Sequence, residues 1–237
     1  MGVECVSRTH TGLKRKVNED SVLVRTERGL WAVADGMGGH EAGDVASAKV
    51  VEALAMVPPS SRLEDFVGDA VVALKHVNRE LIALAQSGNH PRTIGSTVVG
   101  LAAVNGRYGC FWAGDSRAYR IRDGEIHQLS RDHSLVQDLV DAGMLERSEA
   151  ENHPNASVVT RAVGAAEDLR VDTVTGDARA GDLFLLASDG LTRVVEDEAI
   201  VGALNQPTLD DVGDRLIQMV LDRGAPDNVS LVLVLVT

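Results

Sequence analysis

The chain has 237 residues, of which 44% are hydrophobic, enough for one large domain or two small ones with a sizeable core. Acidic residues outnumber basic ones by 35 to 23, which gives a formal net charge of −12. This balance argues against nucleic acid or an anionic membrane as the main partner, because both attract clustered Lys and Arg. The dense basic run Lys14-Arg15-Lys16 is too short to offset the acidic excess.

The apolar segments predict a cytoplasmic protein. Met1–Asp20 lacks the apolar core of a signal peptide, and the aliphatic run Leu231–Val236 is too short to span a bilayer. Cys5 and Cys110 each lie inside an apolar stretch. Such placement favours two buried, reduced thiols over a disulfide or a nucleophile.

Short runs with β-branched or alternating residues predict strands along most of the chain. The predicted strands are Val3–Ser7, Ser21–Thr26, Leu30–Ala34, Ser96–Val104, Tyr108–Ala113, Arg117–Arg122, Glu125–Leu129, Arg170–Thr175, Asp182–Ala187 and Val229–Val236. Apolar spacing and helix-stop residues predict four helices. They are about Ala42–Met56, about Leu63–Gln86, Glu196–Asn205 and Leu209–Arg223.

Two turn dipeptides determine how the middle strands are expected to pair. Asn105-Gly106 and Asp123-Gly124 each lie between two predicted strands, which is the strongest short-range hairpin signal. Consecutive hairpins predict antiparallel sheet and disfavour a doubly wound nucleotide-binding fold. With helices grouped before and after the hairpins, the pattern predicts a layered α+β fold. The polar segment Leu135–Ser157 is expected to form a small helical excursion or flap.

Aspartates recur beside the most apolar strands. A lone Asp-Gly is usually an ordinary turn, but a carboxylate at a buried strand end must be paired or bind a metal. Oxygen-only ligands select Mg²⁺ or Mn²⁺ over Zn²⁺. Glycines after the first of these aspartates are predicted to turn the backbone sharply and bring a carbonyl to the ion. The aspartates are Asp35, Asp115, Asp189 and Asp227, and the glycines are Gly36, Gly38 and Gly39.

A second charged group precedes the strand Ser21–Thr26. The Arg15 fork fits phosphate oxygens, and Glu19 and Asp20 could hold metal-bound waters. Taken alone, such a segment is more often a charged surface loop than a site.

Eight segments, in this order, resemble the metal-dependent protein phosphatases of the 2C type, in particular the compact bacterial members. The combination is highly specific, although each segment alone is weak. The segments are Arg15–Asp20, VADGMGGH (33–40), IGSTV (94–98), AGDSR (113–117), SRDHS (130–134), TRAVG (160–164), SDGL (188–191) and PDNVS (226–230).

The resemblance implies a single catalytic domain over residues 1–237, with the flap at about 135–157. It implies a four-layer αββα sandwich, with two central antiparallel sheets flanked by helix pairs and a binuclear metal centre at one end. The expected ions are Mn²⁺ or Mg²⁺, two in the core and a third, weaker one.

The resemblance also assigns roles to individual residues. Asp35 bridges the two ions, Asp189 and Asp227 complete one of them, and the Gly36 carbonyl serves the other. Asp115, with Asp189, matches the pair that binds the third ion, and Arg15 matches the phosphate-binding arginine. Around these ligands, Glu19, Asp20 and Asn228 are expected to support the ions without binding them directly. His40 is either the general acid or a structural or substrate-contacting residue, and His133 and His153 are expected to be structural or exposed.

The resulting hypothesis is a serine/threonine phosphoprotein phosphatase that hydrolyses its substrate directly with a metal-bridging water. Its expected partners are phosphorylated proteins and a cognate kinase, and it is expected to be a monomer. Two alternatives stay open. A two-metal hydrolase acting on nucleotides or phosphodiesters is disfavoured by the 3% aromatic content. A non-catalytic phosphoprotein-binding module is disfavoured by the complete set of carboxylates.

Overall fold

The computed structural model describes residues 2–38, 42–87, 93–150 and 153–237, and these form eleven strands and six α-helices. The strands are β1 (Val3–His10), β2 (Asp20–Arg25), β3 (Leu30–Gly38), β4 (Ile94–Ser96), β5 (Val98–Val104), β6 (Arg107–Ala113), β7 (Arg117–Arg122), β8 (Glu125–Gln128), β9 (Asp172–Asp177), β10 (Leu183–Ala187) and β11 (Val229–Val236). The helices are α1 (Gly43–Ala55), α2 (Leu63–Gln86), α3 (Leu135–Asp141), α4 (Asp189–Thr192), α5 (Asp197–Ala203) and α6 (Leu209–Asp222).

The strands form two antiparallel sheets. One has the order β1-β11-β10-β7-β8 and the other β2-β3-β5-β6-β9, with β4 paired to the end of β3. The two predicted hairpin turns join β5 to β6 and β7 to β8. Their residues Asn105, Gly106, Asp123 and Gly124 all have positive φ, as a two-residue type I′ turn requires. The predicted antiparallel pairing is confirmed.

Three apolar layers separate four layers of secondary structure. Successive side chains of a strand point to opposite faces, so Ala32 of β3 packs toward α1 and α2 while Trp31 packs between the sheets. On β11, Leu231 faces α4–α6 while Val232 faces the other sheet. Both faces of these strands are therefore buried, which explains their nearly continuous apolar sequence. The predicted αββα sandwich is confirmed.

Several predicted boundaries differ from the structure. The single strand predicted over Ser96–Val104 is divided at Thr97, whose amide donates to the Asp35 carbonyl at 2.8 Å. The strand predicted over Arg170–Thr175 lies at Asp172–Asp177. Strand β3 continues to Gly38 instead of ending at Ala34.

The sharp turn predicted after Asp35 is therefore wrong for Gly36 and Gly38, which lie in the strand without positive φ; Gly39 is outside the described residues. A glycine is needed at position 36 because a Cβ there would lie 2.0 Å from the Gly43 carbonyl oxygen. The requirement is close approach of two backbones, not an unusual dihedral angle.

The segment after β8 contains the predicted helical excursion. Helix α3 begins after Ser134, whose hydroxyl accepts a hydrogen bond from the Gln137 amide, and a short 3₁₀ helix follows at Arg147–Glu149. None of the described helices has the length and apolar character needed to cross a membrane.

Candidate metal centre

Five aspartates from different strands gather at one end of the sandwich. Asp20 begins β2 and is directly opposite Asp35 on β3. Asp189 follows β10, Asp227 precedes β11, and Asp115 follows β6. Of the neighbouring charges that raise the pKa of Asp35, that of Asp189 has the largest effect, so the two carboxylates are near neighbours. The sheets thus bring together the four aspartates found in the sequence, together with Asp20.

The cluster is electrostatically costly without a cation. Loss of hydration, and then the charges of Asp189 and the other aspartates, raise the pKa of Asp35 well above its usual range. Burial raises the pKa values of Asp20 and Asp115 to about 7, and the Asp189 charge adds to the effect in each case. Carboxylates that resist ionisation in this way are stabilised by a neighbouring positive ion.

One buried oxygen in the cluster lacks a donor. The Oδ2 atom of Asp20 accepts a hydrogen bond from the Ser188 hydroxyl at 2.9 Å, whereas Oδ1 has no hydrogen-bond partner within the described chain. A buried acceptor without a partner costs roughly 1–3 kcal/mol. A cation, or a water bound to one, would satisfy it.

The donor set fits a hard divalent cation, because its side-chain donors are all carboxylate oxygens. As the side chains lie, no three of the described His, Cys, Asp and Glu residues surround a common point closely enough to hold an ion. Several of the aspartate carboxylate oxygens instead form ion pairs with arginines. Arg15 Nη2 is 2.6 Å from Asp227 Oδ2, and Arg193 Nη2 is 2.7 Å from Asp115 Oδ2. Some of these contacts would change when ions bind.

Arg15 lies on a loop that Asn228 holds in place. The side-chain Nδ2 of Asn228 donates to the backbone carbonyls of Thr11 and Val17, at 2.8 and 3.0 Å. Its Oδ1 accepts a hydrogen bond from the backbone amide of Glu19 at 2.8 Å. The Arg15 side chain itself is about half exposed at the edge of the cluster, 52% by area. Asn228 therefore positions the arginine loop through three hydrogen bonds.

Glu19 faces the start of helix α1. Its carboxylate accepts a hydrogen bond from the Gly43 amide, and burial raises its pKa. The Glu19 carbonyl accepts from the Gly36 amide at 3.1 Å and from the Ser47 hydroxyl at 2.6 Å. The residue thus joins β2, β3 and α1 beside the aspartates.

Two of the three histidines named in the sequence analysis lie within the described residues. His133 is buried and stacks on Trp112, and its Nδ1 accepts from the Gly114 amide at 3.1 Å. It therefore supports the backbone before Asp115, in agreement with a structural role. His153 is partly buried and accepts from the Asn155 amide. His40 lies outside the described residues.

Sequence reasoning did not single out Arg193. Its Nη2 atom donates to Asp115 and to the Ala156 carbonyl at 3.0 Å, and its Nε is 3.2 Å from Asp189 Oδ2. A signal was present, because Arg193 follows Asp189 by four residues and therefore lies on the same side of a helical turn. Thr97 and Ser116, whose hydroxyls are 2.7 Å apart, belong to two of the eight matching segments, but no role of their own was predicted for them from the sequence.

Beside the aspartates lies a cavity of about 280 Å³. Asp115, Asp189 and Arg193 form part of one wall. The segment after β8 forms the other, with Gln137 and Arg147 among its lining residues. A substrate bound at the aspartates could therefore extend toward this segment.

Two facing antiparallel sheets, with helices outside and an acidic cluster at one end, form the sandwich that the resemblance to metal-dependent phosphatases implies. The chain belongs to the protein phosphatase 2C family, whose model matches residues 9–233.

Named relatives agree with this assignment. The chain is 38% identical over 226 residues to the serine/threonine protein phosphatase PstP of Mycobacterium tuberculosis; the match covers 95% of this chain and 43% of PstP. It thus spans less than half the length of that relative.

Solved structures are similar throughout. PppA, described as a key regulatory component of T6SS in Pseudomonas aeruginosa, has a TM-score of 0.91 at 40% identity, covering 100% of this chain and 99% of that one. The catalytic domain of PstP in complex with two manganese ions has a TM-score of 0.89 at 36% identity, covering 99% of each chain.

Proposed function

We propose that this chain is a Mg²⁺- or Mn²⁺-dependent serine/threonine phosphoprotein phosphatase. The observation that carries the proposal is the group of five aspartates at one end of a protein phosphatase 2C sandwich. Asp20, Asp35, Asp115 and Asp189 have raised pKa values, and one buried oxygen of Asp20 has no partner within the described chain. Membership of a family with named serine/threonine phosphatases supports the substrate class. The two manganese ions in the PstP catalytic domain support the choice of metal.

Each residue of the aspartate cluster would have a distinct role in metal binding. Asp35 would bridge two ions, Asp189 and Asp227 would complete one of them, and the Gly36 carbonyl would serve the other. Asp115 would contribute to any third ion, while Glu19, Asp20 and Asn228 would hold the surrounding groups in place. Two ions held by these residues would supply Lewis acidity that activates water near neutral pH, so that hydrolysis would need no phosphoenzyme.

Arg15 would bind the substrate phosphate. Its guanidinium lies at the edge of the cluster, where it contacts Asp227 and remains half exposed. If Asp227 bound an ion, the guanidinium fork would be free to donate hydrogen bonds to two phosphate oxygens. The proton for the departing Ser or Thr oxygen would come from His40 or from water.

The proposal extends to the organisation of the chain. Residues 1–237 would form one catalytic domain whose flap, at about 135–157, lines the cavity beside the aspartates. The protein would act as a monomer on phosphorylated proteins and reverse a cognate kinase. A cytoplasmic location is part of the same proposal.

Substitution of the aspartates tests the activity. We expect Asp35→Asn and Asp189→Asn to lower phosphate release from a phosphothreonine peptide with Mn²⁺ by about 100-fold or more, because even groups that only support a metal ligand contribute 10–100-fold. The matched control is Asp69→Asn, an exposed carboxylate on α2. Undiminished release in both cluster variants would contradict the proposal. Wild-type turnover of nucleotides in preference to the phosphopeptide would favour the other two-metal hydrolase.

A further inference from the structure

The guanidinium of Arg193 joins three segments that are far apart in the sequence. Its Nη2 atom is 2.7 Å from Asp115 Oδ2, after β6, and 3.0 Å from the carbonyl oxygen of Ala156. Its Nε atom is 3.2 Å from Asp189 Oδ2, at the start of α4. Two carboxylates and one flap carbonyl therefore share a single cationic side chain.

The two carboxylates need a positive charge at this place. The side chains of Asp115 and Asp189 are only 5% and 16% exposed. Buried carboxylates have to be paired with a positive charge, and Arg193 lies within ion-pair distance of both. A guanidinium is always charged and presents several donors in one plane, so it can serve two carboxylates at once.

Ala156 lies near the end of the flap, which forms the far wall of the 280 Å³ cavity. Ala156 itself lines the cavity, as do Asp115, Asp189 and Arg193. The backbone amides of Ala156, in the flap, and of Val158, just after it, form short-range hydrogen bonds to the carbonyls of His153 and Asn155. Arg193 is therefore a direct connection between the metal-centre carboxylates and this end of the flap.

We propose that Arg193 takes the place of a third metal ion in this chain and fastens the flap to Asp115 and Asp189. The inference rests on the proposed function, because that function assigns these two carboxylates to the metal centre. The chain would then bind two ions, and the flap would be held by a side chain even without metal. A third ion would enter only after the guanidinium had left.

The number of bound ions tests the replacement. Titration with Mn²⁺, followed by calorimetry and equilibrium dialysis, is expected to give two ions per chain for the wild type. Arg193→Ala is expected to gain a third, weaker site, and Asp115→Asn in that background should remove it. Arg193→Gln, which keeps N–H donors but lacks the charge, serves as a second variant in case Arg193→Ala does not fold.

Arg223→Ala is the matched control. The Arg223 guanidinium is exposed and donates to the carbonyl of Val194, the residue next to Arg193, at 2.6 Å. Its removal deletes the same charge and a similar carbonyl contact without touching Asp115 or Asp189. It should leave the number of bound ions at two.

Hydrogen exchange in metal-free protein tests the connection to the flap. We expect the Ala156 and Val158 amides to exchange at least about tenfold faster in Arg193→Ala, which is the size of effect that loss of a charged hydrogen bond produces. Exchange at these amides should not change in Arg223→Ala.

The outcomes separate the two proposals. Three ions in the wild type, an unchanged ion number in Arg193→Ala, or unchanged flap exchange would overturn the inference and leave the phosphatase proposal standing. Absence of Mn²⁺ binding by both the wild type and Arg193→Ala would overturn the proposed function and the inference with it.

Discussion

Arg15 forms an ion pair with Asp227 at the solvent-exposed edge of the aspartate cluster. Its Nη2 is 2.6 Å from a carboxylate oxygen of Asp227, yet half of the side chain is exposed to solvent. An exposed ion pair of this kind contributes little to stability. A role for Arg15 in binding phosphate therefore explains its position better than a contribution to folding stability does.

At this scale we predict that Arg15→Ala raises the KM for a phosphothreonine peptide by about tenfold, with a smaller effect on kcat. Loss of a charged hydrogen bond that is made equally in the bound and transition states changes KM rather than kcat. Steady-state kinetics with Mn²⁺ provide the measurement. Lys14→Ala removes a neighbouring positive charge and is the control. An unchanged KM would exclude Arg15 from phosphate binding.

The aspartates could be identified from the sequence, but not all of the residues whose hydrogen bonds hold the surrounding backbone in place. A run of apolar residues that ends in Asp is visible in the sequence, whereas the His133 contact to the Gly114 amide joins segments that only folding brings together. The same holds for the hydrogen bonds of Asn228 to the arginine loop. These supports depend on distances across the fold, which spacing along the chain does not contain.

Strand β3 and helix α1 approach each other more closely than side chains normally allow. A Cβ at Gly36 would be 2.0 Å from the carbonyl oxygen of Gly43 and 2.7 Å from that of Glu19. Both neighbours are backbone atoms, so neither can move away without displacing its own element. The absence of a side chain at position 36 therefore sets how β2, β3 and α1 meet.

Gly36→Ala is accordingly expected to lower the free energy of unfolding by about 2 kcal/mol, a typical cost of overpacking. Gly68→Ala provides a control of opposite sign. Gly68 is exposed within α2 and a Cβ there meets no neighbour within 4 Å. Removing a helical glycine should stabilise the protein by about 0.5–1 kcal/mol. Urea unfolding measures both, and a stabilising Gly36→Ala would contradict the packing argument.

Element types were more predictable than element ends. The asparagine-glycine and aspartate-glycine turns predicted the two hairpins because the required positive φ values are a local property. The extension of β3 to Gly38 depends on pairing with β4, and the break at Thr97 depends on its contact with Asp35. Both are tertiary interactions that no local pattern records.

The three apolar layers stabilise the folded chain, whereas repulsion among the aspartates at one end of the sandwich destabilises it. The aspartates raise one another's pKa values, so the metal-free fold bears unfavourable charge repulsion. Any ion that binds the folded state and not the unfolded chain raises the free energy of unfolding, by an amount that grows with the logarithm of the ion concentration. Stability and metal binding should therefore be coupled.

We predict that chelation by EDTA lowers the Tm of the wild type relative to Mn²⁺-saturated protein. In the chelated state, Asp35→Asn should have a Tm about 2–4 °C above the wild type, because one mutual repulsion is removed; this corresponds to ~1 kcal/mol in a chain of this size. The same variant should gain little from added Mn²⁺. Thermal unfolding followed by circular dichroism measures each value, with Asp69→Asn as control. A metal-free wild type more stable than Asp35→Asn would contradict the repulsion.

The amino-acid sequence was enough to predict the α+β class, the two hairpins and the aspartates Asp35, Asp115, Asp189 and Asp227, because apolar periodicity and turn chemistry act over a few neighbouring residues. Eight ordered segments also led to the family that the comparison confirms. The tertiary structure alone decided which side chains share the cluster, how Asn228 and His133 support it, and that Arg193 reaches both Asp115 and the flap. These contacts form only when segments distant in the sequence pack together. The charged groups that then become neighbours determine the chemistry of the site.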